Sequence, residues 1–195
     1  MVFEVAAVAP RRDRVIAAAI DQFTSHGVRQ TSIERIALAA GIAKGSVYLE
    51  FADKPALFRA AAGALIDDIV ALASAATALR PLRKRVVEVL ALKFWRLYDL
   101  VHARPHAREL IEARDELAAD VFRAGDARYA ELLTGVLTSA RAEWRPRRPY
   151  RIVDVSGALL RAAHGTGYGP ARLDEETYRA RLADSVDLIL TGSAR

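Results

Sequence analysis

His102 and His106 stand four residues apart, the spacing at which two imidazoles on one helical face could share a metal ion. Pro105 falls between them and is expected to break that helix, and no third ligand stands at a readable spacing, so no metal site is expected and no cofactor is implied. Glu109, Glu112, Asp115 and Glu116 alternate with Arg108 and Arg114, the pattern of a solvated helix face. The chain has no cysteine, which removes disulfides, thiolate metal sites and a cysteine nucleophile. With no Ser-His-Asp order and no Gly-rich phosphate loop, catalysis is not expected. A different group invites attention. Lys44, Gly45, Ser46, Tyr48 and Leu49 fall on the outward side of a short segment whose inward side is Ile33, Ile36, Ile42 and Val47.

The elements that must position these residues are helical. The 195 residues are 52% hydrophobic, enough to bury a sizeable core. The formal charge of +5 is compatible with a polyanionic partner, but residues 1–60 hold eight Lys and Arg against six Asp and Glu, so no basic block marks the N-terminal third. No apolar stretch reaches the roughly 18 to 20 residues needed to cross a bilayer. A soluble, cytoplasmic protein is expected, with Met1 to Pro10 a loose arm.

Apolar residues recur at steps of three and four almost throughout, and no run alternates as a strand would, so the expected fold is all-α with about nine helices. The first should run from about Arg12 to Ser25, with Val15, Ala18, Ala19, Gln22 and Phe23 inward, and stop at Gly27. Thr31-Ser32-Ile33-Glu34 reads as a capping box opening a two-turn helix that ends at Gly41, and a second short helix follows to about Phe51. Pro55 restarts the chain as a long helix to Leu79, with Leu57, Ala61, Leu65, Ile69, Leu72 and Ala76 inward. Further helices are expected over Leu82 to Ala103 (with Val87, Leu90, Phe94, Leu97, Tyr98 and Val101 inward), Pro105 to Glu112, Arg114 to Trp144, Tyr150 to Thr166 and Asp174 to Thr191. The basic loop Arg145 to Pro149 reads as a solvated connection.

Two brief helices joined by a tight Gly turn can cross steeply and leave one exposed, which is the geometry of a helix-turn-helix, although plain αα-hairpins share that outline. The run Thr31-Ser32-Ile33-Glu34-Arg35-Ile36-Ala37, then Ala40-Gly41-Ile42-Ala43-Lys44-Gly45-Ser46-Val47-Tyr48-Leu49-Glu50-Phe51 and Asp53-Lys54, resembles the N-terminal signature of the TetR family over about residues 11–60. That resemblance implies a DNA-binding domain over residues 1–54, an effector-binding and dimerisation domain over 55–195, and a recognition helix from Lys44 to Glu50. Lys44 could then reach a phosphate or a guanine edge, Gly45 would let the backbone approach DNA, and Ser46 could bond either partner. Tyr48 would lie against the sugar-phosphate backbone, or else be a core tyrosine. Leu49 offers apolar contact, for instance with a thymine methyl. Lys54 resembles the family's phosphate-clamping lysine, and Thr31 and Ser32 would point hydroxyls and helix N-terminal amides at the backbone. Ala43 in place of a capping Ser or Thr, and Glu50 near the helix end, depart from the family pattern. The first weakens the helix by about 1 kcal/mol.

One recognition helix makes too few contacts for useful specificity, so double-stranded DNA with a palindromic operator and a second copy of the chain are the expected partners. The resemblance places the homodimer interface on the last two helices, through Val153, Gly157, Leu160, Arg161, Tyr178, Leu182, Val186 and Ile189, though these could instead complete each subunit's own core. It also implies a small-molecule effector held by Phe94, Trp95, Tyr98, His102, Phe122, Tyr129 and His164, with the same alternative of plain packing. The function so read is a ligand-responsive repressor; the alternative is a DNA-binding structural or interaction factor without an effector.

Overall fold

The computed structural model describes residues 9–103, 106–147, 149–169 and 171–193; residues 1–8 of the arm expected over Met1 to Pro10, and Pro105, lie outside these. Among the described residues there are nine helices and no strand: α1 (Arg11–His26), α2 (Ile33–Ala39), α3 (Lys44–Tyr48), α4 (Lys54–Ala76), α5 (Leu82–Ala103), α6 (Ala107–Leu117), α7 (Ala119–Ser139), α8 (Ile152–Gly165) and α9 (Glu175–Ser193). Packing groups the described residues into two compact units, those within 1–67 with those within 100–125, and those within 68–99 with those within 126–195.

In the first unit, α1 buries Val15, Ala18, Ala19 and Phe23 along one stripe, with Phe23 edge-on to Phe58 of α4 at 5.6 Å. The helix stops at Gly27, whose φ of +79° strains any other residue. A Cβ there would also collide with the Glu109 carboxylate of α6, which accepts the Arg29 amide. Ile33, Ile36 and Ala37 of α2 join Val47 of α3 and Leu57, Phe58, Ala61 and Ala62 of α4 in the same core. The turn from α2 to α3 needs Gly41 at φ +66°.

Three sequence expectations are corrected in this unit. Thr31 does not cap α2. Its side chain is buried, with the hydroxyl 2.7 Å from the Gly27 carbonyl and 3.1 Å from that of Gln22, so it ties the loop to the end of α1. Ser32 takes the cap, its Oγ accepting the Arg35 amide at 3.2 Å, and the expected Thr31–Glu34 box does not form. The break expected near Ala113 falls instead at Ala118, a buried residue with non-helical backbone (φ −144°, ψ 22°). Arg59 holds that junction, donating to the Leu117 carbonyl at 2.9 Å and forking onto Asp120 at 2.7 and 2.6 Å.

The second unit is built on Val86, Val89, Leu90 and Phe94 of α5, Leu133, Val136 and Leu137 of α7, and facing stripes of α8 and α9. On α8 these are Val155, Leu159 and Ala163; on α9 they are Tyr178, Leu182, Val186 and Leu190. Leu72 and Leu97, expected inward, are 40% and 38% exposed because both helices turn their inward stripes one position away from them. Helix α7 ends at Ser139, short of Trp144, which is buried beyond the helix with its indole N–H donating to the Leu190 carbonyl at 2.9 Å.

Candidate nucleic-acid interface

Helix α3 is five residues long and has one buried side chain, Val47. That anchor, with Ile33 and Ile36 behind it, leaves Lys44 and Gly45 exposed, Ser46 half-buried, and Tyr48 and Leu49 exposed at 48% and 76%. The core alternative for Tyr48 is thereby excluded. A Cβ built on Gly45 would meet no described atom within 4 Å, so the protein's own packing does not require glycine there. The open space is on the outside, where a duplex backbone could approach. Ala43 provides no side-chain cap to α3, as its methyl dictates, so the helix rests on Val47 and on the turn from α2.

The charges around α3 are paired within the chain. Glu34 on the outer side of α2 forms an ion pair with Lys44 Nζ, and both side chains are half exposed. The Lys44 hydrogen bond, followed by Glu34's own amide and the Ser32 hydroxyl, holds the Glu34 carboxyl at about 2, and the same contact pushes the Lys44 ammonium up. The Lys44 ammonium also stands 6.0 Å from the Tyr48 ring centre. At the other end, Arg11 Nε meets Glu50 Oε1 at 2.8 Å, while Arg12 donates to the Glu50 carbonyl at 3.1 Å and lies 4.4 Å over the Phe51 ring. The negative charge that looked foreign at Glu50 is thus answered by α1. The Arg11-Arg12 doublet was visible in the sequence, but nothing in its spacing linked it to a residue almost forty positions away.

Of the other expected contacts, Ser32 is exposed at the start of α2, whereas the Thr31 side chain faces the core. Lys54 turns inward as well. Its ammonium donates to the carbonyls of Val28 (2.9 Å), Thr31 (3.1 Å) and Arg29 (3.4 Å), which uses its three donors on the loop that leads into α2.

The residues expected to hold an effector fall in both units. In the second unit Phe94 is edge-on to Tyr129 at 6.5 Å and 6.3 Å from the His164 ring, while Trp95, Tyr98 and Tyr178 stack and tilt against one another at 5.4 to 5.6 Å. Phe122 packs instead on the first unit's core under Arg114, and His102 is an exposed residue of that unit. The tyrosine hydroxyls are engaged with backbone: Tyr129 donates to the Val89 carbonyl, Tyr178 to that of Ala163 (2.9 Å), and Tyr98 accepts the Leu173 amide (2.8 Å). Burial pushes both the Tyr129 and Tyr178 hydroxyls up, the latter to about 12 with a smaller contribution from Tyr98.

On α8 and α9, Tyr178, Leu182 and Val186 are fully buried in their own subunit's core and are not available to a partner. Val153 and Arg161 are exposed, and Gly157, Leu160 and Ile189 half-buried. Leu188 is 76% exposed on the side of α9 away from that core. The basic loop borders an open cavity of about 500 Å3 lined by Arg141, Arg145, Pro146, Tyr150, Arg151 and Ile152. There Arg145 donates to the Arg141 carbonyl at 2.9 Å and Arg151 is paired with Asp154.

Among the described residues no three His, Asp or Glu side chains converge as a metal site, and no helix is long and apolar enough to cross a membrane. His102 ends up within α5 and His106 ahead of α6, on separate elements.

A short helix backed by one core valine and crossed on a second helix through a positive-φ glycine is the geometry of a helix-turn-helix. Residues 15–61 match the model of the bacterial regulatory proteins of the tetR family. The whole chain has the fold of a protein of Mesorhizobium loti assigned to the TetR-family transcriptional regulators (20% identity over 95% of this chain and 97% of that one, TM-score 0.74) and of a similarly assigned Rhodococcus protein (20%, 92% and 98%, 0.72). It is also similar to the fatty acid degradation regulator FadR of Bacillus halodurans (18%, 94% and 96%, 0.65). The match to the tetR family covers the helix-turn-helix and the start of α4, and over the rest of the chain the likeness to these proteins is one of fold.

Proposed function

We propose that the chain is a homodimeric, cytoplasmic repressor that binds a palindromic operator through residues 1–54 and responds to a small apolar or aromatic effector through residues 55–195. The observation that carries the DNA reading is the exposure of Lys44, Gly45, Tyr48 and Leu49 on a helix held from behind by Val47. Ser46 and Ser32 supply further donors, and Lys54 acts by holding the loop before α2 in place. Two half-sites need two copies, and Val153, Gly157, Leu160, Arg161 and Leu188 form the surface of α8 and α9 that a second copy would cover.

For the effector, Phe94, Trp95, Tyr98 and Tyr129 supply apolar surface beside His164, and their engaged hydroxyls favour a ligand recognised by shape and stacking. A ligand that fits the conformer with mis-spaced recognition helices withdraws the dimer from DNA by mass action. The packing of these aromatics against one another supports a second reading, a DNA-binding factor with no effector. Selection of bound genomic fragments followed by fluorescence anisotropy tests the first reading, which expects recovery of a palindromic duplex. No duplex binding even at low salt would overturn it. Thermal shift with hydrophobic and aromatic compounds then divides the two: stabilisation coupled to loss of DNA supports the switch, and stabilisation by duplex alone supports the factor.

A further inference from the structure

The Lys44 ammonium, the group on α3 best suited to a phosphate, is not free to meet one. Glu34 reaches it across the helix crossing, so the chain already offers Lys44 an anion. Both partners are about half exposed, which makes the pair weak and exchangeable in water. The second acidic residue beside α3, Glu50, is likewise bound to Arg11. Both acidic side chains beside α3 are therefore already paired with a basic one, and positions 1–60 hold eight basic against six acidic residues.

We propose that Glu34 is a specificity-determining residue that occupies Lys44 in place of a DNA phosphate, so that any duplex must displace a built-in competitor before Lys44 contributes to binding. When Lys44 crosses to DNA, Glu34 is left with an unpaired negative charge on the DNA-facing side. An arbitrary duplex offers only phosphates against that cost. A cognate duplex adds base-edge contacts from Ser46, Leu49 and the closely approaching Gly45 backbone, and these offset it. Glu34 thus lowers sequence-independent binding more than cognate binding. The inference rests on the DNA-binding reading above.

The test compares wild type, Glu34→Gln, Lys44→Gln and the double variant of the full chain by fluorescence anisotropy. The probes are a random-sequence duplex pool of about 20 bp and the duplex recovered from genomic selection, between about 50 and 200 mM salt. Glu34→Gln is expected to bind the random pool about 3- to 10-fold tighter at low salt, with a log–log salt slope steeper by about 0.9 per recognition helix, and to gain less on the selected duplex. The gain should vanish in the Lys44→Gln background. Glu34→Ala, which also removes the hydrogen-bonding oxygen, should behave as Glu34→Gln does. Unchanged or weaker binding of the random pool by both Glu34 variants overturns the proposal, as does an equal gain with Lys44 already removed, which would assign the effect to net charge. If the wild type binds no duplex at low salt, the DNA reading itself fails. If it binds and Glu34→Gln matches it, only the present inference fails.

Discussion

Replacing Lys54 by methionine separates two jobs that one lysine at this position could have. The thioether keeps the length and apolar body of the stem and removes only the ammonium, which here donates to Val28 at 2.9 Å, Thr31 at 3.1 Å and, more weakly, Arg29 at 3.4 Å. Two well-formed bonds at about 1 kcal/mol net each give an expected loss of about 2 kcal/mol. For a chain of this size that lowers Tm by about 4 to 8 °C. The carbonyls that lose their donor belong to the loop that sets the start of α2, and through Ile33 and Ile36 the seat of Val47 and α3. DNA affinity should therefore fall through mispositioning, with the salt slope unchanged. Thermal unfolding by circular dichroism and anisotropy titrations across salt measure the two effects separately. An unchanged Tm together with a salt slope shallower by about 0.9 per subunit would refute this assignment and make Lys54 a direct phosphate contact.

Leu182→Ala, at a fully buried position, should lower stability by about 2 to 5 kcal/mol in urea unfolding. Leu188→Glu, on the exposed side of the same helix, should leave intrinsic subunit packing intact and weaken self-association about tenfold or more by sedimentation; an unchanged dimer would remove α9 from the interface. Thr31→Val should cost about 1 to 2 kcal/mol, since it strips the buried hydroxyl from the Gly27 and Gln22 carbonyls, and leave the salt slope of DNA binding as it was. The carboxyls of Glu34, Asp120, Asp154 and Asp174 are all held below their ordinary values by donors present only in the fold. Their contribution is complete above the unfolded carboxylate range of about 4 and is lost as pH falls below it toward about 2, so the urea midpoint should hold from pH 7 to about 5 and then decline. A midpoint that stays level down to about pH 2.5 would contradict those contacts.

Much of residues 11–51 was legible because its signals are local. Val15, Ala18, Ala19 and Phe23 keep one stripe, Gly27 and Gly41 stand where positive φ is needed, and Val47 is the one apolar residue on the inner side of α3. Helix periodicity and glycine placement depend only on near neighbours in the chain, so the sequence alone determined the order of the helices, most of their bounds and, within Lys44 to Leu49, which side chains stand outward. What it left open is whatever depends on which of two apolar stripes faces which neighbour. Tyr178, Leu182 and Val186 satisfy the spacing of an interface as well as that of a core, and only the packing of α8 against α9 assigned them inward and Leu188 outward. The same holds for long-range polar partners. Thr31 became a buried tie and not a cap, Lys54 turned toward backbone carbonyls, and Glu34 found Lys44 across a helix crossing. A side chain's hydrogen-bonding partner is set by the three-dimensional approach of distant segments, and periodicity along one helix carries no record of it.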